Sequence, residues 1–303
     1  MDEVDLTIIL LLMNNSRLTY REISDHLGLS INAIYKRVQT LTDMRIIEKF
    51  TARLKPYALN AIYTFIFGQS DAHDIDKIIT DLGYHDNTWQ IILSSRNYVY
   101  IGSMLENIHQ LDEYSSFISQ TAEIHSPQIG LLSGVNYISP VPYIVPKSQA
   151  SNFDKLDLEI IRSLHKDSRK SISEIAEDAN STPNTVRRRL DRLIQEGIIE
   201  LSINFNPESS NDVFAVFQVT INPSVDKNEF AKYLNEKYHP NIFYCWSFSN
   251  HPNLILCWVW TNTMKELTDL AEKVKKEKID SILFDIMYKV FYFNTWKEAM
   301  LYK

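Results

Sequence analysis

Two stretches of the chain, residues 30–42 and 182–194, concentrate side chains that can bind nucleic acid. The first carries Lys36 and Arg37 with no acid, a net charge of +2, and the second carries four arginines against Asp191, a net charge of +3. An asparagine amide can pair with the N6 and N7 edge of adenine and an arginine with O6 and N7 of guanine, while lysine, tyrosine and threonine can hold phosphates. These residue types therefore favour contact with the major groove of DNA.

Both stretches have the apolar spacing of a helix that buries one stripe. In the first, Ile34, Val38 and Leu41 recur every three or four residues, and Val186, Leu190 and Leu193 do so in the second. The polar side chains then face outward. The candidate DNA-binding residues, including the two predicted helix starts, are Ser30, Asn32, Tyr35, Lys36, Arg37, Gln39, Thr40, Thr182, Asn184, Arg187, Arg188 and Arg192.

Some of these candidates also have a structural interpretation. Ser30 and Thr182 can cap a helix and donate to a phosphate at the same time. Arg37 and its counterpart Arg189 lie at the edge of the buried stripe, where an ion pair with Glu22 or Glu174 is as reasonable as a phosphate contact. The charged face of an isolated basic helix is more often only solvated and has no binding role. Here the predicted wing, the capped second helix and the duplication favour DNA binding instead.

The two stretches belong to an internal repeat. Residues 5–48 align without a gap on residues 157–200, and 15 of the 44 positions are identical. Unrelated sequences would share about three, because average residue usage gives roughly a 6% match rate. The chain is therefore a tandem duplication with a period of 152 residues, and each copy is expected to form the same unit.

Each copy begins with the pattern of a helix-turn-helix. Apolar residues recur every three positions in the first predicted helix. Thr19 precedes Glu22, and Ser171 precedes Glu174, by the three residues of a capping box, so a second helix starts at each place. The third helix follows a short break, and β-prone stretches at 46–50 and 198–203 are predicted to be wing strands.

Each wing is followed by strand, helix, strand, strand, helix and strand, the order of a split βαβ sandwich. The fold class is therefore α+β, with two winged helix-turn-helix domains each followed by a ferredoxin-like βαββαβ domain. Prolines at 140, 142 and 146 mark a linker between the halves. The predicted domains are 1–57 and 58–139, then, after the linker 140–152, residues 153–208 and 209–303.

The composition excludes several classes of protein. Only seven glycines occur, and neither phosphate-binding glycine motif is present, which argues against nucleotide enzymes. Cys245 and Cys257 are too few for a disulfide framework and are interpreted as core thiols that lie opposite each other in a hairpin. The eight histidines have no metal-site spacing. We expect no cofactor, no enzymatic activity, no membrane contact and a cytoplasmic location.

The chain resembles the Lrp/AsnC family of transcription regulators, most clearly at 5–48 and 156–200. The resemblance lies in the order of its patterns: DxxDxxIIxxL, a capped helix, SxNxIxxR, GIIE and a split βαβ module. Two complete family units in tandem resemble an archaeal arrangement. The resemblance implies that the helix-turn-helix binds DNA and that the βαββαβ part, called the RAM domain in the family, assembles oligomers through its sheets and senses amino acids.

The family's sensing hairpin carries a glycine and an acidic residue. The corresponding turns here, 94–98 and 248–253, have neither, so an amino acid is not the expected effector and another small-molecule effector stays open. Some proteins of AsnC type are siroheme decarboxylases that hold a tetrapyrrole with basic and histidine side chains near the sheet. The side chains that would serve in this chain are Arg96, His239 and His251.

These observations predict a sequence-specific regulator that binds double-stranded DNA. Its two halves form an intrachain pseudo-dimer, and its two different heads read different half-sites. Homo-oligomers through the RAM-like sheets are also expected. Two alternatives stay open, a siroheme decarboxylase and an assembly partner that does not bind DNA, the second because Asp191 lies within a recognition helix.

Overall fold

The computed structural model of the chain describes residues 1–136 and 153–302. The described residues divide into two compact units. One contains both helix-turn-helix segments and the C-terminal residues from 294, and the other contains both RAM-like segments. The predicted linker 140–152 lies outside the described residues, and the predicted domain boundaries stay a proposal.

The elements of the first half follow the predicted order. The strand 88–94 has the predicted bounds, the wing strand predicted over 46–50 extends four residues further, and the other elements differ from their predicted bounds by one or two residues. In chain order the elements are α1 (Glu3–Asn14), α2 (Tyr20–Leu27), α3 (Ile31–Asp43), β1 (Ile47–Leu54), β2 (Ile62–Gln69), α4 (Ile75–Gly83), β3 (Thr88–Ser94), β4 (Tyr98–Leu105), α5 (Gln110–Thr121) and β5 (Gln128–Asn136).

The second half repeats this order and adds one short helix that the sequence patterns did not predict. In chain order its elements are α6 (Lys155–Lys166), α7 (Ile172–Asp178), α8 (Pro183–Gln195), β6 (Ile199–Phe205), β7 (Val213–Ile221), α9 (Lys227–Lys237), β8 (Ile242–Phe248), β9 (His251–Thr261), α10 (Met264–Val274), β10 (Ile279–Tyr292) and α11 (Trp296–Ala299).

Local sequence sets the starts and stops of the head helices. Both predicted capping boxes are present, with Glu22 N donating to the Thr19 hydroxyl at 3.2 Å and Glu174 N to the Ser171 hydroxyl at 3.3 Å. The predicted stripes of α3 and α8 are buried. In the second head, the stripe packs with α6 and α7, and Leu301 of the C-terminal segment joins the same cluster. Burial of such side chains contributes roughly 1.5–3 kcal/mol each.

The two predicted wing strands do not form two separate wings but pair with each other. β1 pairs antiparallel with β6 of the other half, from Ile47 opposite Phe205 to Leu54 opposite Ile199. Neither strand forms its own hairpin, because its backbone partners come from the other copy. This ribbon joins the two heads into one unit.

The RAM-like segments form an eight-stranded barrel. Each half has the order of a split βαβ sandwich, β3-β4-β2-β5 in the first and β8-β9-β7-β10 in the second. β10 pairs with β3, and β5 pairs with β8, so the sheet closes on itself. Every strand of the barrel therefore has two neighbours within the chain. The expected homo-oligomer through the RAM-like sheets stays a prediction.

Cys245 and Cys257 lie opposite each other on β8 and β9, as the hairpin pattern predicted. Their sulfur atoms are 3.2 Å apart, and both side chains are fully buried with apolar neighbours on the side of the sheet that the helices cover. Burial raises the pKa of the Cys245 thiol. The surroundings are those of core thiols.

Among the described residues, no helix has the length and apolar character that crossing a membrane requires.

Candidate nucleic-acid interface

The first turns of the two recognition helices, α3 and α8, are built alike. Ala33 N donates to the Ser30 hydroxyl at 3.2 Å, and Thr185 N donates to the Thr182 hydroxyl at 3.3 Å. Both cap residues are exposed or partly exposed. The Ser30 hydroxyl oxygen therefore caps its helix while its proton can still be donated outward, whereas the Thr182 hydroxyl also lies 2.9 Å from that of Thr185. At both starts the positive end of the helix dipole attracts a phosphate.

The outer face of α3 carries five of the predicted contacts. All five are exposed, and only one of them has a side-chain partner on the same helix, Gln39, whose Nε2 donates to Asp43 at 2.9 Å. They offer an amide, a phenol, an ammonium, a second amide and a hydroxyl, the groups that read base edges and hold phosphates. The five are Asn32, Tyr35, Lys36, Gln39 and Thr40.

The outer face of α8 separates its arginines into two groups. Asn184, Arg187 and Arg188 are exposed, as predicted. Arg192, also a predicted contact, is only partly exposed, and its Nη2 lies 2.5 Å from Oδ2 of Asp157. Arg189 Nη1 lies 3.1 Å from the same oxygen. The second head therefore offers two guanidinium groups outward rather than the three that the sequence suggested.

Arg37 forms the ion pair that one interpretation expected, with a different partner. Its Nη1 lies 2.7 Å from Oδ1 of Asp5 at the start of α1. Asp5 corresponds in the repeat to Asp157, so both heads tie the third helix to the first by the same pair of positions. Glu22 instead accepts from the amide and hydroxyl of Thr19 in its capping box. The expected ion pairs with Glu22 and Glu174 are therefore wrong.

A contact between the heads reaches the first recognition helix, and the sequence interpretation missed it. Arg169 of the second head donates from Nη1 to the hydroxyl of Tyr20 at 3.0 Å. The ring of Tyr20 meets that of Tyr35 edge to face, with centroids 5.6 Å apart. The only signal in the sequence was the identity of Arg169 with Arg17 in the repeat, which names no partner.

A second place of chemical interest lies in the barrel. A cavity of about 530 Å³ is bordered by polar side chains and one exposed leucine. Beside it the buried Asp285 carboxylate accepts from Arg96 Nε at 3.0 Å and from the Tyr100 hydroxyl at 2.9 Å. Burial raises the pKa of Tyr100. The lining residues are Gln69, Arg96, Asn97, Tyr98, Gln128, Gln218 and Leu283.

The side chains named for a tetrapyrrole have separate surroundings. Arg96 pairs with Asp285 across the two halves. Nε2 of His251 lies 2.8 Å from the carbonyl oxygen of Ile129, and burial lowers the pKa of His239. Aromatic rings of the two halves also meet, with the Phe65 ring of β2 and the Trp246 ring of β8 tilted by 31° and their centroids 4.6 Å apart. No group of three or more histidine, cysteine or acidic side chains among the described residues is arranged to hold a metal.

Comparison with known proteins matches both head segments. A family model for winged helix-turn-helix DNA-binding domains matches residues 1–48 and 153–200. An HTH-type transcriptional regulator of Pyrococcus furiosus is 40% identical over 82 residues, which are 26% of this chain and 55% of that protein. The regulator FL11 of Pyrococcus horikoshii is 27% identical over 120 residues, 39% of this chain and 80% of that protein. The chain thus spans little more than half the length of the first of these relatives.

Two solved structures match nearly the whole chain, and both are of the siroheme decarboxylase NirDL. The siroheme decarboxylase NirDL, in complex with an iron-uroporphyrin III analogue, has a TM-score of 0.61 over 98% of this chain and 94% of its own, at 12% identity. This similarity establishes a shared fold. It also corrects the expectation that the chain is not an enzyme, because an enzyme has this whole two-headed architecture.

Proposed function

We propose that this chain, which consists of two units of the Lrp/AsnC family in tandem, is a transcription regulator that binds double-stranded DNA through α3 and α8. The observation that carries the proposal is the exposed face of these two helices, where amide, hydroxyl and cationic side chains project outward from a capped first turn. We propose that it acts in the cytoplasm, a reducing compartment that suits its two free cysteines.

The two heads are proposed to read different half-sites. Tyr35 and Lys36 of α3 correspond in the repeat to Arg187 and Arg188 of α8. Both arginines can bind guanine edges, whereas of tyrosine and lysine only lysine can, so the operator is expected to be asymmetric. Two heads related by an approximate twofold reach successive major grooves about 34–36 Å apart.

The test is selection from a random pool of duplexes followed by gel-shift titration of the full chain. The double change Arg187→Ala and Arg188→Ala should weaken binding about tenfold or more and reduce the salt slope by about one for each phosphate that these arginines neutralise. Asp191→Asn on the same helix is the matched control and should retain binding. An unchanged titration of the double variant would contradict the assignment of α8.

A second candidate function is the decarboxylation of siroheme. The observation that favours it is the cavity of about 530 Å³ beside Arg96, in a fold shared over the whole chain with an enzyme of that activity. Cavities of this size fall in the range that takes small molecules and cofactors. Titration with siroheme is the test, because a bound tetrapyrrole gives a shifted absorbance band that Arg96→Ala should remove. Such a band without any shifted duplex would select the enzyme over the regulator.

A further inference from the structure

The loops after the first helix of each head meet across an approximate twofold axis. Ser16 and Ser168 are equivalent in the repeat, and their hydroxyl oxygens lie 2.6 Å apart. Both side chains are fully buried. A contact between equivalent residues is what a twofold relation produces, so the two heads have a defined arrangement.

Two arginines cross this axis in opposite directions. Arg17 Nη1 donates to the carbonyl oxygens of Ser168 and Lys170, both at 2.7 Å. Arg169 donates from Nε to the carbonyl oxygen of Ser16 at 2.9 Å and from Nη2 to that of Leu18 at 3.5 Å. The acceptors are equivalent positions of the repeat, so each head binds the same two carbonyl groups of the other. Arg17 does so through one nitrogen and Arg169 through two. Burial lowers the pKa of Arg17.

Further reciprocal contacts surround this pair. The Thr51 hydroxyl of β1 donates to the carbonyl oxygen of His165 at 2.9 Å, and the Ser202 hydroxyl of β6 donates to that of Met13 at 2.7 Å. Each hydroxyl thereby satisfies a carbonyl group at the end of the other head's first helix, where the helix itself offers no partner. The heads are thus held by side chains at both edges of the ribbon.

We propose that Arg17 and Arg169 are positioning residues that hold the two recognition helices at one spacing and one orientation. Arg169 binds its two carbonyl groups through two nitrogens of one planar guanidinium, which fixes both a distance and an angle in a way that one ammonium group cannot. A rigid pair of heads reads two half-sites at a single separation, whereas heads on flexible linkers accept a range of separations. The part that concerns DNA rests on the proposed function, and the fixed arrangement does not.

Arg17 and Arg169 differ in the side chains that surround them. Arg169 stands 5.1 Å above the ring of Tyr20, which in turn contacts Tyr35 on α3. The corresponding residues of the second head are Ile172 and Arg187, which carry no ring. Arg169 therefore also positions a proposed DNA contact of the first head, and its loss should affect that head's half-site more than Arg17 affects the other.

The first arm of the test needs no DNA. Spin labels on the full chain at Asp25→Cys and Glu177→Cys, exposed and equivalent positions of the two heads, report the distance between them. The native thiols are buried and stay unlabelled. We expect one narrow distance distribution, and a broadening of about twofold after Arg17→Lys with Arg169→Lys, which keeps the charge and removes both planar guanidinium groups. Exposed Arg21→Lys is the control.

Circular dichroism checks that the double variant is folded. If the double variant is not folded, the single variant Arg169→Lys is measured instead. A distribution that stays as narrow in the variant would overturn the positioning role. A distribution that broadens in a protein that shifts no duplex would support the role and reject the proposed DNA-binding function.

The second arm uses a duplex selected from the random pool and the same duplex with five or ten base pairs inserted between its half-sites. For the unmodified chain, both insertions should lower affinity about tenfold or more, to that of a single half-site. The lysine variant should lose this difference while it retains affinity for the single half-site. Tight binding of both inserted duplexes by the unmodified chain would contradict a fixed spacing.

Discussion

Arg192, in the last turn of the second recognition helix, donates to the carboxylate of Asp157 on the first helix of the same head at 2.5 Å. Asp157 has a side chain only 1% exposed and also accepts from Arg189. The carboxylate therefore ties α8 to α6, and it removes two of the four arginines from the free charge of the helix.

Replacing this carboxylate should destabilise the second head. Asp157→Asn removes the buried counter-charge of Arg192 and leaves Arg189 with only the exposed Asp154, 2.7 Å away. We expect a loss of about 2 kcal/mol, below the usual cost for a buried pair because both arginines are partly solvated. Urea unfolding of the variant measures the loss. Asp191→Asn, exposed on the same helix, should stay within about 0.5 kcal/mol of the unmodified chain. Equal stabilities of the two variants would contradict the tie.

The helix starts allow the capping role to be separated from the proposed phosphate contact. In Ser30→Asp and Thr182→Asp the new carboxylate still caps the helix, so stability should be retained. The negative charge would face the phosphates, so DNA affinity should fall about tenfold or more. Ser30→Ala is the counterpart that loses about 1 kcal/mol of stability with a smaller effect on DNA. Gel shifts and thermal unfolding measure the two properties, and full DNA binding by both aspartate variants would remove these residues from the interface.

The C-terminal stop of the second helix differs between the copies in an informative way. Gly28 has φ +66°, and its counterpart Asn180 has φ +47°, both in the left-handed region. Alanine avoids this region at a cost of about 1–2 kcal/mol, whereas asparagine tolerates it. Gly28→Ala should therefore destabilise the chain more than Gly28→Asn, as measured by urea unfolding. Beyond Gly28 itself and its local backbone, no atom lies within 4 Å of a side-chain carbon built at this position, so a clash is not the cause.

The pH dependence of stability should include a contribution from His165. This ring is buried next to β1, its Nδ1 is 3.0 Å from the carbonyl oxygen of Ala52, and burial lowers its pKa. As pH falls through the ordinary value of about 6.5, the unfolded chain takes up the proton first. Stability should therefore be complete above that pH and fall below it, with a slope of up to about 1.4 kcal/mol per pH unit for one proton.

His165→Asn provides the comparison, because its amide can donate to Ala52 in place of the ring. Urea unfolding between pH 7.5 and 5 should show a shallower decline for this variant. Burial also lowers the pKa of His85 and of His239, so part of the decline should persist. A decline of unchanged steepness would exclude His165 as a source.

The amino-acid sequence by itself determined the duplication, the fold class and the order of the elements. Capping boxes and the stripes of α3 and α8 depend on residues three or four positions apart, so that local spacing is sufficient to predict them. The outward placement of Tyr35 and Arg187 followed from the same periodicity. Such features need no knowledge of what the rest of the chain does.

Only the tertiary structure decided which distant groups meet. The contacts in question join positions that are 35 to more than 150 residues apart. They are the pairing of β1 with β6, the closure of the barrel, the ion pair of Asp157 with Arg192, and the hydrogen bonds of Arg17 and Arg169 to the opposite head. A strand or an arginine carries the same pattern whichever partner it finds, because hydrogen-bonding groups and charges are satisfied by any suitably placed acceptor. The choice of partner is made when the two halves pack together.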